Sequence, residues 1–276
     1  MTAAVVETAM AKVNLALHVT GRREDGYHLL DSLVAFAATG DRVSLRAGPM
    51  SLQIDGPFAR GLEADSGNLC WRAAELAGAS VAISLEKNLP VASGIGGGSA
   101  DAAAVLRGLE RMGHSRPEGI DRLGADIPVC MLSQPARMQG IGEIVTPLSG
   151  LPRVSAVLVN PGHEISTPAV FRALTSRDNA PLGAIPSWSD LAALIGWLRQ
   201  TRNDLEPAAR DILPLISQVL AALEQNGAGL ARMSGSGATC FGLFESDAQA
   251  RKAAAALSRH GWWAEATELV PSQRGR

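Results

Sequence analysis

Gly94-Ile-Gly-Gly-Gly-Ser99 is the segment whose residue types point most directly to chemistry. Glycines lack Cβ, so consecutive backbone N–H groups can turn toward one point and approach an anion closely. The residues that follow predict a helix. Ser99 reads as its N-cap, Asp101 puts a negative charge in its first turn, and Ala102, Val105, Leu106 and Leu109 form one apolar stripe. A helix start adds a partial positive charge of about half a unit. A di- or triphosphate fits that arrangement. A bare turn needs one or two glycines, whereas four of the five residues from Gly94 to Gly98 are glycine. No GxxxxGK[ST] is present, and Ser99 stands where the third glycine of GxGxxG would fall, so neither a P-loop nor a dinucleotide loop is expected.

Phosphoryl transfer also needs groups that orient or deprotonate an attacking hydroxyl. Lys12, Asn14 and His18 alternate with Val13, Leu15, Leu17 and Val19, which predicts a strand with one polar and one apolar face. On residue type alone Lys12 also reads as an exposed strand lysine, and His18 as a satisfied structural histidine. Asp126 sits in Gly124-Ala-Asp-Ile-Pro128, a turn-to-helix junction where it equally reads as an N-cap. Gly235-Ser236-Gly237 lies between two apolar stretches, either as a hairpin turn or as a second glycine wall. Arg202-Asn-Asp-Leu-Glu206 reads as a helix start, with Asn203 or Asp204 capping ahead of Pro207.

The elements that must position these residues are mixed. Short strands are expected at Val43–Leu45, Leu52–Ile54 and Val81–Leu85, and a helix from Asn68 to Leu76. A turn-rich stretch, Thr146 to Pro152, marks a boundary near residue 150. Beyond it come a strand at Val154–Val159, a helix opening at Thr167-Pro168, an irregular stretch at Asn179–Ser187, and helices over about 189–200 and 211–225. A strand–glycine loop–strand follows at Leu230–Phe244, then a helix near 247–259, a strand near 262–268 and a frayed tail from Pro271 to Arg276. Helices and strands without regular β-α alternation predict an α+β fold with two domains, 1–150 and 151–276.

Apolar residues make up 46% of the chain and charged ones 19%, with a net charge of −2. That balance suits an ordinary globular protein and offers no basic face for nucleic acid, so an anionic partner must be held locally. A small ligand is favoured. Cys70, Cys130 and Cys240 lie far apart with no CxxC pair, and Met1 to Met10 does not read as a secretory signal, so reduced thiols in a cytoplasm are expected. No apolar stretch reaches the roughly 18 residues of a membrane span. No carboxylate cage for a metal is visible. Mg²⁺ arriving with a nucleotide would rely on phosphate oxygens and one hydroxyl such as Ser99.

Pro90-x-x-x-Gly94-Ile-Gly-Gly-Gly-Ser-Ala-Asp-Ala-Ala103 resembles the nucleotide loop of the GHMP kinases. Met233-Ser-Gly-Ser-Gly-Ala-Thr239 resembles their C-terminal glycine motif, and Ala11-Lys-Val-Asn-Leu15 their N-terminal one. Gly21-Arg-Arg-Glu-Asp-Gly-Tyr-His28, Gly124–Pro128, Asn160-Pro-Gly162 and Arg202–Glu206 narrow the likeness. They resemble the branch acting on a cytidine diphosphate-linked methylerythritol in the non-mevalonate isoprenoid route. Ala100 departs from the second serine more usual in the loop, and Ile95 from leucine.

The resemblance implies a ribosomal-S5-domain-2-like N-terminal domain and a ferredoxin-like C-terminal one. It implies ATP with Mg²⁺ as cofactors, with ATP held by Pro90, Ser93, Gly94, Gly96, Gly97, Gly98, Ser99 and Ala100. It makes Asp126 the proton acceptor, with Lys12 holding it ionised and favouring the developing alkoxide. Beside a lysine that carboxylate is a weak base, so its main contribution is orientation, with proton transfer late. Asn14, Gly235, Ser236 and Gly237 would face the acceptor. His28 would read the cytosine edge, Tyr27 would stack on the ring, and Phe171 would either cover its other side or belong to the helix core. Relatives acting on homoserine or mevalonate-type alcohols would not require Tyr27-His28. A non-catalytic ATP sensor of the same fold would not require Lys12 and Asp126.

Overall fold

Two long strands at the start of the chain set the framework. β1 (Val5–Arg22) and β2 (His28–Ala47) pair with each other across a tight turn in which the Arg23 N–H donates to the Tyr27 carbonyl at 2.8 Å. The structure, a computed structural model, describes residues 4–269. The expected frayed tail at 271–276 lies outside the described residues. The chain forms two units built from interleaved stretches. The first comprises Met1–Ala11, Gly40–Val91 and Gly96–Ser133; the second comprises Lys12–Thr39, Ala92–Ile95 and Gln134–Arg276.

In the first unit the C-terminal part of β2 runs antiparallel to β4 (Val81–Glu86), with Val43 opposite Leu85. β3 (Ser51–Asp55) runs parallel to β4. Val43–Leu45, expected as a separate short strand, is the end of β2; continuous pairing with β4 carries that strand to Ala47. Helix α1 (Leu69–Leu76) begins at Asn68, whose side chain accepts from the Cys70 N–H. α2 (Gly97–Arg111) packs against α1 and α3 (Ile127–Leu132). Ala102, Val105, Leu106 and Leu109 are all buried, as the stripe requires, and so are Val43, Leu45, Ile83 and Leu85 of β2 and β4.

Ser99 does not cap α2. Gly96 does, at φ +67°, so the cap lies three residues earlier than expected and Ser99 is the third residue of the helix. Glycine adopts this left-handed turn without the Cβ penalty a serine would meet. The first helical bond runs from the Ala100 N–H to the Gly96 carbonyl at 2.8 Å. The first-turn N–H groups of Gly97, Gly98 and Ser99 are therefore those a helix leaves without an intrahelical partner.

In the second unit β10 (Trp263–Leu269), β7 (Val154–Asn160), β9 (Cys240–Phe244) and β8 (Leu230–Met233) lie side by side, all antiparallel. β10 reaches β2 through Leu269 opposite Ala37. The N-terminal part of β2 also pairs with β5 (Ala136–Gly140), and β5 with β6 (Ile144–Pro147). Neither β5 nor β6 is evident in the sequence, because Arg137 and Gln139 interrupt any apolar run. Helices α4 (Thr167–Arg172), α5 (Leu191–Leu198), α6 (Glu206–Ile212), α7 (Leu215–Gln225) and α8 (Asp247–Leu257) complete the unit. The helix expected from 211 starts at Leu215, since Pro214 cannot continue a preceding helix. α7 packs on β8 and β9, and α8 on β7 and β10. Their shared core includes Val157, Val159, Ile216, Val219, Leu223, Phe244, Ala253 and Leu257. Each large side chain buried there contributes about 1.5–3 kcal/mol. Among the described residues, no helix is long and apolar enough to cross a membrane.

Candidate active site

On residue type alone Lys12 also reads as an exposed strand lysine. Instead Lys12, Asn14 and His18 are 5%, 2% and 3% exposed. In the second unit Lys12 donates its backbone N–H to the Ile95 carbonyl at 2.9 Å, which ties β1 to the residue before Gly96. The Asn14 backbone N–H donates to Ser234 Oγ at 3.0 Å, and Asn14 Nδ2 to Ser32 Oγ at 2.8 Å. Asn14 Oδ1 is buried without a hydrogen-bond partner, 3.4 Å from where a Cβ on Gly235 would stand. An open buried acceptor of this kind costs stability unless a ligand uses it. His18 is a structural tie. Its Nδ1 donates to the Ala180 carbonyl at 2.9 Å while Nε2 accepts from the Arg202 N–H at 3.3 Å. Burial lowers its pKa and keeps it neutral.

The two glycine segments meet in the second unit. The Ser93 carbonyl accepts from the Thr239 N–H at 3.0 Å, and the Gly94 carbonyl from Ser234 Oγ at 3.0 Å. Gly94 adopts φ +76°, and a Cβ there would overlap the Ser234 carbonyl and stand 2.8 Å from the Gly237 nitrogen. Only glycine fits. Gly235 and Gly237 also have positive φ, and Ser236 Oγ bonds Thr167 Oγ1 at 2.7 Å.

In the first unit, Pro90 and Gly96 to Ala100 sit above a buried charge cluster. Lys87 Nζ bonds Asp41 Oδ2 and, at 2.8 Å, Asp101 Oδ2. Asp41 Oδ1 accepts from the Asn88 and Leu89 N–H groups at 2.5 and 2.7 Å, fixing the approach to Pro90. A Cβ on Gly97 would stand 3.1 Å from Lys87 Nζ, so the ammonium packs directly under the start of α2. Burial raises the Asp101 pKa to about 7, against the opposing pull of Lys87. Burial alone would lower Lys87, but Asp101 and Asp41 outweigh it and raise its pKa. Residue type alone did not single out this cluster, since Asp41 lies far from Lys87 in sequence. Asp126 occupies the N-cap position of α3 in this unit, but its side chain makes no cap hydrogen bond.

His28 and Phe171 are brought together in the second unit, with ring centroids 4.7 Å apart and planes at 26°. His28 Nε2 is buried and has no hydrogen-bond partner. Burial, then Arg22 and Arg177, lowers the His28 pKa, so the imidazole is neutral at neutral pH. Tyr27 points outward, 61% exposed. Among the described residues, no group of three His, Cys, Asp or Glu side chains could hold a metal ion.

A model described as GHMP kinases N terminal domain matches residues 68–134, and one described as GHMP kinases C terminal matches residues 179–261. A 4-diphosphocytidyl-2-C-methyl-D-erythritol kinase of Paracoccus denitrificans is 58% identical over 97% of this chain and 97% of its own. One of Ruegeria pomeroyi is 53% identical over 94% and 97%. A crystal structure of 4-(cytidine 5'-diphospho)-2C-methyl-D-erythritol kinase superposes with a TM-score of 0.74 at 37% identity, covering 96% of this chain and 98% of that one. L. major mevalonate kinase shares the fold at TM-score 0.68 and 17% identity, over 99% and 97%. The chain belongs to the 4-diphosphocytidyl-2-C-methyl-D-erythritol kinase family of the GHMP kinases.

Proposed function

We propose that this chain transfers the γ-phosphoryl group of ATP to the 2-hydroxyl of 4-diphosphocytidyl-2-C-methyl-D-erythritol, releasing ADP. The observation that carries this reading is the fit of the Gly94 turn into the Ser234–Gly237 turn, with Lys12 bonded beside it through the Ile95 carbonyl. Near-full-length relatives of the same activity support it. The matched segments 68–134 and 179–261 lie on either side of residue 150, which supports an ATP-binding domain over 1–150 and a C-terminal domain over 151–276.

Pro90, Ser93, Gly94, Gly96, Gly97, Gly98, Ser99 and Ala100 hold the nucleotide in this reading. The unpaired first-turn N–H groups of α2 supply donors for phosphate oxygens, and the helix start supplies partial positive charge. Asp126 orients the acceptor hydroxyl and takes its proton, and Lys12 stabilises the developing alkoxide. Asn14 Oδ1, buried and unpartnered, offers an acceptor to the substrate, beside Gly235, Ser236 and Gly237. His28 Nε2, equally unpartnered, bonds the cytosine edge, Phe171 backs the imidazole, and Tyr27 closes over the base. A Mg²⁺ ion arriving with the phosphates would take most of its ligands from phosphate oxygens and water, with the Ser99 hydroxyl as the one protein oxygen at the start of α2. Such an ion neutralises charge on the transferring group. The setting is the cytoplasm.

ADP release with MgATP and the cytidine-linked substrate, run beside homoserine and mevalonate, tests the reading for wild type and Asp126→Asn. Turnover of the cytidine substrate alone, lost in the variant, is the expected result. No turnover of any acceptor despite ATP binding would overturn the kinase assignment in favour of an ATP sensor.

A further inference from the structure

Arg202-Asn-Asp-Leu-Glu206 does more than start α6. In the second unit this segment lies alongside β1: the Leu17 N–H donates to the Arg202 carbonyl at 2.9 Å, and the Asp204 N–H returns to the Leu17 carbonyl at 2.8 Å. The Val19 N–H is taken by Asp204 Oδ2 at 2.7 Å. Held this way, Asn203 is 4% exposed and turned toward the end of β8. Its Nδ2 donates to the Met233 and Gly235 carbonyls, both at 2.8 Å, and its Oδ1 accepts from the Leu205 N–H at 3.0 Å. Glu206 Oε2 takes the Met233 N–H at 3.0 Å.

We propose that Asn203 is the positioning residue of the Gly235-Ser236-Gly237 turn, holding the Ser236 amide as a fixed donor for an anionic oxygen. The inference rests on the reading of this turn as part of the phosphoryl-transfer site. In a trans peptide the C=O and N–H point in opposite directions. The Gly235 carbonyl faces Asn203, so the Ser236 N–H of the same peptide faces away from it. Two amides of the turn are already committed: Gly237 N–H donates to the Ser234 carbonyl at 3.0 Å and Ser234 N–H to the Thr239 carbonyl at 2.9 Å. Gly235 has no Cβ to resist a peptide flip, and a flipped peptide would present a carbonyl, which repels an anion, in place of the donor. Asn203 opposes that flip. It does so as a neutral double donor, which an aspartate of the same shape could not be.

Two variants test this. Asn203→Asp keeps the acceptor for Leu205 but faces two carbonyls with a carboxylate; Asn203→Ala removes the donor without adding charge. Both are expected to lower kcat about 10²-fold, the loss typical of one oxyanion donor, with the KM for the cytidine-linked substrate within about twofold of wild type. Amide hydrogen exchange should accelerate at residues 233–239 in Asn203→Ala, while β7 and β10 keep wild-type protection. Unchanged kcat with unchanged exchange overturns the proposal, and so does a loss spread equally over kcat, KM and global stability. The exchange measurement needs no substrate. Failure of the turn's assigned role, seen as no turnover by wild type, is thereby separated from failure of the clamp, seen as unaltered exchange.

Discussion

Gly94 and Ser234 are in direct contact: Ser234 Oγ donates to the Gly94 carbonyl at 3.0 Å, and the Ser234 carbonyl occupies the space a Gly94 side chain would need. Gly94→Ala must therefore move one turn away from the other. It also places alanine at φ +76°, which with the overlap costs about 2–4 kcal/mol. Displacing a catalytic loop by about 1 Å can cost about 10²-fold in rate. Steady-state kinetics should show kcat/KM for ATP falling by that order, with the urea midpoint lowered. A variant with wild-type kinetics would sink the view that these turns act as one unit.

The site was legible where its signal is local. Gly94–Ser99, Gly235–Gly237, the stripe of α2 and the Tyr27-His28 turn all lie within a few neighbouring residues, so spacing exposes them. The burial of Lys12 and Asn14 was not legible, whereas His18 reads as a structural histidine and is one. Alternation correctly gives a strand, but the groups that cover its polar face are Ser234, Ala180 and Arg202, far along the chain. Lys87 reads as an ordinary loop lysine until Asp41 and Asp101 are folded against it. Asn203 reads as a cap. The N-cap of α6 is instead Leu205, without a side-chain cap bond; Asn203 Oδ1 takes the Leu205 N–H, and only the fold reveals what its Nδ2 holds.

His28 should set affinity for the cytidine moiety and leave ATP untouched. Losing a hydrogen bond and a stacked ring in a desolvated site is worth about 2–3 kcal/mol, so His28→Ala should raise the KM for that substrate about 30–150-fold. The His28 pKa is lowered from its ordinary value of 6.5, by burial first and then by Arg22 and Arg177. A lowered histidine favours the neutral folded form at neutral pH; that contribution is lost only as pH falls through the lowered value. The substrate KM should thus be flat from pH 8 to 6.5 and rise below it. A rise beginning above pH 6.5, or an equal change in the KM for ATP, would contradict this assignment.

Arg232 secures β1 next to Asn14. Its Nη1 donates to the Leu15 carbonyl at 2.7 Å and Thr201 Oγ1 at 3.0 Å, and its Nη2 to the Leu198 and Thr201 carbonyls, both at 2.9 Å. Burial lowers its pKa to about 10, so it remains charged at neutral pH. An ammonium has three donors on one atom and cannot span these four acceptors. Arg232→Lys leaves at least one of these acceptors unmet and should cost about 2–4 kcal/mol in urea unfolding. A change below about 0.5 kcal/mol, the range of an ordinary surface substitution, would rule out this bracing role.

Asp101 gives the Gly96–Ala100 start of α2 a pH-dependent foundation. Its pKa is raised from 3.8 to about 7, chiefly by burial, with Lys87 opposing and Asp41 adding to the shift. The folded state thus holds the Asp101 proton more tightly than the unfolded chain does. The stability this contributes is fully present below the unfolded value and is lost as pH rises from about 4 to about 7. The slope reaches at most about 1.4 kcal/mol per pH unit. Lys87 and Cys70 do not titrate in that window: Lys87 is raised above its ordinary 10.5, and burial followed by the Asp101 charge drives the Cys70 thiol well above 9.0. Asp101→Asn keeps the shape and an acceptor for Lys87, offers an N–H toward Asp41, and removes the titrating proton. Relative to wild type, the variant should therefore gain stability steadily between pH 5 and pH 7. Urea unfolding at those two values measures the difference; an equal gap at both would mean that Asp101 is ionised throughout and that Lys87 alone neutralises the cluster.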